Sequence, residues 1–90
     1  MITVDEVRYS TAAKNFIKKA DAKLKEQIKE TIEKIKVIPN TGDVKPMQGY
    51  SDGRKRIRFG KYRIVFRYDE EGHLVILYIV DIGPRGDVYK

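Results

Sequence analysis

The apolar residues of this chain change their period once, and that change limits the possible folds more than any other feature. Leu24, Ile28, Ile32 and Ile35 recur at intervals of four, four and three residues, the spacing of one helical face. Beyond Asn40-Thr41-Gly42-Asp43 the spacing becomes two. Lys55, Ile57 and Phe59 alternate with Arg54, Arg56 and Arg58, and Tyr62, Ile64, Phe66 and Tyr68 alternate with Arg63, Val65 and Arg67. That is the period of a strand. Helices followed by a run of strands point to a segregated α+β architecture.

Local signals refine this outline. Ile2 to Tyr9, with Val4, Val7 and Tyr9, suits an N-terminal strand. Ser10 suits an N-cap, because its hydroxyl can accept a bond from an orphan backbone N–H, and Ala12, Ala13, Phe16, Ile17 and Ala20 then share a helical face. Asp21 caps a second helix carrying the Leu24 to Ile35 stripe, with mixed charges such as Glu30 and Lys34 on its exposed side. Pro39 pushes Ile38 out of the helical region, so this helix should end near Val37.

Gly60-Lys61 reads as a two-residue hairpin connection and Asp69-Glu70-Glu71-Gly72 as a second turn. Leu74 to Ile82 is apolar on both faces and belongs in the sheet centre. The expected fold is α+β: an N-terminal strand, a helical hairpin, then a three-stranded antiparallel meander with the helices packed on one sheet face. Ninety residues are expected to form one domain, 1–90. A chain this short buries only about 60–65% of its unfolded surface, so its core must be economical.

Charge is distributed unevenly over this frame. From Val44 to Tyr68 there are eight Lys or Arg against one acid, Asp52, whereas the remaining eleven basic residues face twelve acids. The whole net charge of +6 therefore resides in one segment, the electrostatic footprint of a protein that meets a polyanion. Arg56 and Arg58, two apart on a strand, share a face about 6.6 Å apart at a rise of ~3.3 Å per residue. If Ile57 and Phe59 face the helices, these arginines face away, and Arg63 of the next strand can join them. Arginine presents a planar fork that matches phosphate oxygens. Such charges also keep an open sheet face soluble and block edge pairing, although solubility needs no single sign. Arg54, Lys55, Lys61 and Arg67 are further candidate polyanion contacts, with Lys55 secondary because it lies on the alternate register. The tail from Asp81 to Lys90 brings Arg85 and Tyr89 to the end of the last strand, and it equally suits a terminus tied down by Val88 and Tyr89.

Several chemistries lack their residues. Without cysteine, disulfides and thiolate metal sites are impossible, and a reducing, cytoplasmic setting is expected. His73, the sole histidine, follows an acidic turn and reads as a loop residue, so a two-histidine acid–base pair is unavailable. Neither a Ser/His/Asp, HExxH or Walker-type motif nor a Gly-rich phosphate loop is present. No cofactor or metal is expected. A secretory signal and a membrane-length apolar run are not visible in the sequence.

Met47-Gln48-Gly49, then Arg56-Ile57-Arg58-Phe59-Gly60-Lys61-Tyr62-Arg63-Ile64-Val65-Phe66, then Ile82-Gly83-Pro84-Arg85-Gly86-Asp87-Val88-Tyr89, resemble the RelE/ParE toxin superfamily of toxin–antitoxin pairs over essentially the full chain. The resemblance implies a small toxin that docks in the ribosomal A site and cleaves mRNA by attack of the RNA 2′-OH on the adjacent phosphate. It also implies a cognate antitoxin, expected to be acidic. Arg56 and Arg58 fall at the superfamily's paired basic positions, Arg63 after the strand tyrosine, Arg85 after the last long strand, and Tyr89 at the C-terminal tyrosine. The implied roles are phosphate binding and transition-state stabilisation for the arginines, and base stacking or proton transfer for Tyr89. Pro84 stands where many relatives carry histidine, which moves the chain toward the histidine-independent RelE type. The superfamily also contains ParE-like gyrase inhibitors, and a non-catalytic nucleic-acid-binding module is a further alternative.

Overall fold

In the computed structural model, which describes residues 1–40 and 42–84, the elements run β1 (Ile2–Thr3), β2 (Glu6–Tyr9), α1 (Thr11–Lys19), α2 (Ala22–Ile35), β3 (Val37–Ile38), β4 (Val44–Pro46), β5 (Lys55–Phe59), β6 (Tyr62–Glu71) and β7 (Leu74–Pro84). The expected antiparallel meander is β5-β6-β7. It is widened by two strands into a five-stranded mixed sheet of order β2-β7-β6-β5-β4, in which β2 runs parallel to β7. β1 and β3 form a separate antiparallel pair. No helix among the described residues is long and apolar enough to cross a membrane.

Both predicted caps form. Ser10 Oγ accepts from the Ala13 N–H at 3.0 Å and donates to the Val80 carbonyl at 2.6 Å, so the start of α1 is stitched to β7. Asp21 Oδ1 accepts from the Leu24 N–H at 2.8 Å. Each such cap contributes on the order of 1 kcal/mol. The stripe on α2 is buried at Ile28, Ile32 and Ile35, with Leu24 at its margin. It packs with Ala13 of α1 against Ile57, Ile64, Phe66, Leu77, Ile79 and Ile82 of the sheet. Fully burying an Ile or Phe side chain stabilises by roughly 1.5–3 kcal/mol, so this single helix-facing layer dominates the stability. Ala12 departs from its expected place and is exposed.

Gly60-Lys61 makes the expected tight connection, closing the Phe59–Tyr62 pair with Gly60 at φ 53°. Three other features differ from expectation. The N-terminal strand is divided, because the Val4 N–H donates to the Lys36 carbonyl whereas Asp5 turns to β7, donating its N–H to the Val75 carbonyl and accepting the Val75 N–H on its carboxylate. The acidic turn lies later: Asp69, Glu70 and Glu71 continue β6 opposite Ile76, Val75 and Leu74, leaving Gly72, at φ 60°, and His73 to turn the chain. Charge pairing makes this possible, since Asp69 receives Arg67 and Glu71 receives Arg8.

The third is a β-bulge. Val65 pairs with Asp81 but Phe66 pairs with Ile79, so Val80 is an extra residue in β7. The bulge resets the alternation, which is why Ile79 and Ile82, three residues apart, both reach the core.

Tyr68 closes the open end of α2. Its hydroxyl donates to the Ile35 carbonyl at 2.6 Å and accepts from Asn40 Nδ2 at 2.6 Å, and burial raises its pKa above the ordinary tyrosine value. Tyr68→Phe should remove both bonds, leaving Asn40 its bond to the Val37 carbonyl, and lower the unfolding free energy by ~1–2 kcal/mol. Urea denaturation with an unchanged m-value is the check.

Candidate functional site

Cross-strand pairing decides which cations meet. Arg58 lies opposite Arg63 and Arg56 opposite Val65, on the sheet face turned away from buried Ile57 and Ile64. Like charges directly opposite one another destabilise a sheet, so this arrangement stands against local preference. Arg56, Arg58 and Arg63 line one cavity of about 360 Å³, whose far wall is Pro46, Met47, Gln48 and Tyr50 from β4 and the segment that follows it.

On two of these lining residues, Arg56 Nη1 and Arg58 Nε are shielded from solvent and have no hydrogen-bond partner among the described residues. A buried donor without an acceptor costs about 1–3 kcal/mol, more when charged. An oxyanion with several lone pairs would remove that cost at both atoms, and the guanidinium fork is shaped for it.

The remaining candidate cations are used differently. Arg54 binds Asp52 through two bonds, Nε to Oδ1 at 3.1 Å and Nη2 to Oδ2 at 2.8 Å, and its guanidinium lies 4.2 Å from the centroid of the Tyr50 ring. Arg67 pairs with Asp69 at 3.2 Å, approaches Asp52 at 3.8 Å and covers the Tyr78 ring at 4.4 Å. Lys55 is on the helix side, its ammonium 5.7 Å from the Tyr68 ring. Lys61 is exposed at the hairpin tip. Arg85 and Tyr89 lie outside the described residues. His73 is exposed in its turn. Among the described residues no three His, Cys, Asp or Glu side chains come together as metal ligands.

Two members of this face were not apparent as such from the sequence. Tyr50 sits in an irregular segment without periodicity, and its nearest sequence signal is the aromatic–cation spacing to Arg54. Asp81 pairs with Val65 and so shares the arginine face, although strict alternation from Ile79 assigns it to the core side. The bulge moves it.

Toxins of toxin–antitoxin pairs are among the solved structures that share this topology, two helices against one face of a mixed sheet. Similar solved structures are the YoeB/ParE toxin of Agrobacterium tumefaciens (21% identity, TM-score 0.74, covering 89% of this chain and 98% of that one) and the archaeal RelE–RelB complex of Pyrococcus horikoshii OT3 (20%, 0.69, 96% and 99%). The RelB–RelE antitoxin–toxin complex of Methanococcus jannaschii has 22% identity and a TM-score of 0.63, covering 91% and 94%. At these identities the likeness establishes the fold. Family membership comes from the sequence: residues 7–89 match the model of the ParE toxin of the type II toxin–antitoxin system parDE, and the chain belongs to that family, within the RelE/ParE superfamily. No curated protein sequence matches significantly.

The Asp52–Arg54 pair makes a pH prediction. Hydrogen bonding from Arg54 holds the Asp52 carboxyl down at about 2, against an ordinary 3.8. A depressed carboxylate value means that the pair's contribution is complete above the ordinary value and is lost as the pH falls through about 2. Carboxyl-detected NMR should record the low titration in the wild type, and Arg54→Ala should return Asp52 toward the ordinary range.

Proposed function

We propose that this toxin is a ribosome-dependent mRNA endonuclease that cleaves in the A site. The observation that carries the reading is the convergence of Arg56, Arg58 and Arg63 on one cavity, with two buried guanidinium nitrogens lacking an acceptor among the described residues. In the reaction the RNA 2′-oxygen loses its proton and forms a bond to the adjacent phosphorus. The bond to the 5′-oxygen then breaks, and that oxygen takes up a proton. The products are a 2′,3′-cyclic phosphate and a 5′-hydroxyl end. Because the nucleophile belongs to the substrate, the toxin has to hold the phosphate and stabilise the extra negative charge of the pentacovalent state. Guanidinium groups held in place by the sheet are suited to that task.

Arginine does not deprotonate in proteins, so these residues act by charge and position and not as bases. Arg85 and Tyr89 complete the set in this reading, Arg85 as a further phosphate cation and Tyr89 as a stacking or proton-transfer group. The ribosome positions the mRNA, and free-enzyme activity should be low. The partner is a cognate antitoxin, and it should be acidic to complement the positive Val44–Tyr68 segment. A second reading, inhibition of DNA gyrase, is favoured by the match to the ParE toxin model, and one scaffold can host both activities.

Toeprinting on translating ribosomes tests the first reading. Wild type should give A-site cuts and Arg58→Ala should reduce the cleavage rate roughly 100-fold, the scale of losing one fixed oxyanion donor. Absence of cuts from the wild type, with loss of supercoiling by purified gyrase, would sink the nuclease reading in favour of the second.

A further inference from the structure

The arginines account for only one side of the cavity. Its volume of about 360 Å³ lies within the ~300–1,000 Å³ range of sites that enclose whole small ligands. Its other side carries no cation: Pro46, Met47, Gln48 and Tyr50 line it. Tyr50 is 50% exposed, whereas Phe16, Phe59, Tyr62, Phe66 and Tyr68 pack against one another in aromatic contacts and Tyr78 lies beneath Arg67.

The Tyr50 ring is also held in place. Arg54 lies over the ring at 4.2 Å, Asp52 grips Arg54 through two bonds, and Asp52 reaches Arg67 on β6 at 3.8 Å. This chain of contacts anchors an irregular segment to the sheet. Gly49 and Gly53, at φ 87° and 75°, have nothing within 4 Å of a Cβ position, so backbone conformation and not packing requires glycine on either side of Tyr50.

We propose that Tyr50 is a nucleobase-stacking residue, forming with the Met47–Tyr50 wall a subsite for the base attached to the phosphate held by Arg56 and Arg58. The proposal rests on the RNA reading above and specifies how that site takes its substrate. One ring face is covered by a fixed guanidinium, which leaves the other for a base; every base has a π-face, so a platform of this kind tolerates different sequences. An aromatic prepositioned by Arg54 and Asp52 loses little freedom when the base arrives.

The isolated toxin titrated with AMP and with ribose 5-phosphate, followed by NMR, separates base from phosphate. Wild type should bind AMP roughly tenfold more tightly than ribose 5-phosphate, the scale of one base–aromatic stack. Tyr50→Ala should abolish that preference while leaving ribose 5-phosphate affinity intact, Tyr50→Phe should retain it, and Arg58→Ala should weaken both ligands alike. Equal affinities in the wild type, an AMP preference that survives Tyr50→Ala, or no binding of either ligand overturns the proposal. Failure of the nuclease reading is read separately, as absent A-site cuts from a wild type that still prefers AMP.

Discussion

The burial of the α2 isoleucine stripe against one face of the meander is the constraint on which the rest of the molecule depends. Ile28, Ile32 and Ile35 have to be covered, and Ile57, Ile64, Phe66, Leu77, Ile79 and Ile82 supply the cover. Once that layer forms, strand alternation leaves no choice for the residues in between. Arg56, Arg58 and Arg63 must emerge on the far side. The arginine side of the candidate site is thus a by-product of core formation, its side chains placed by two interior strands of the sheet.

Total charge says little about which cations are available to a ligand. Arg8 joins Glu6 and Glu71, Arg54 joins Asp52, and Arg67 joins Asp69 and Asp52. These pairs are partly exposed, and pairs of that kind add little stability. Their effect is to sort the positive segment into arginines already occupied by carboxylates and arginines that face the cavity. Asp52, the sole acid between Val44 and Tyr68, takes part in two of these pairings and steadies the wall opposite the site.

What could be read from the sequence was whatever repeats or has a local chemical cause. The caps at Ser10 and Asp21, the stripe on α2, the hairpin at Gly60-Lys61 and the outward direction of Arg56 and Arg58 each follow from a few neighbouring residues. Non-local relations were hidden. The parallel docking of β2 on β7 depends on partners far apart in the chain, and the bulge at Val80 leaves the composition of β7 unchanged while moving Asp81 to the other face. The acids at 69–71 looked like a turn because Arg8, the cation that meets Glu71, comes from β2, far away in the sequence. Tyr50 was hidden for a related reason, since an irregular segment has no period from which to infer a direction.

The pairing of β2 with β7 has a consequence for the order of synthesis. Asp5 and Val75, seventy residues apart, hold each other at the junction of these strands, and Glu6 to Tyr9 has no place in the sheet until Ile76 to Ile79 exists. Contacts of such long sequence separation form late, because the loop between them must be closed first. A chain emerging N-terminus first therefore cannot place β2 in the sheet until β7 has followed it. β7, the strand that braces Arg63 through the Gly83 pairing, follows both strands of the arginine face in the chain. The β5–β6 hairpin that carries the arginines can pair locally, but it lacks its brace on the β6 side until β7 has been made.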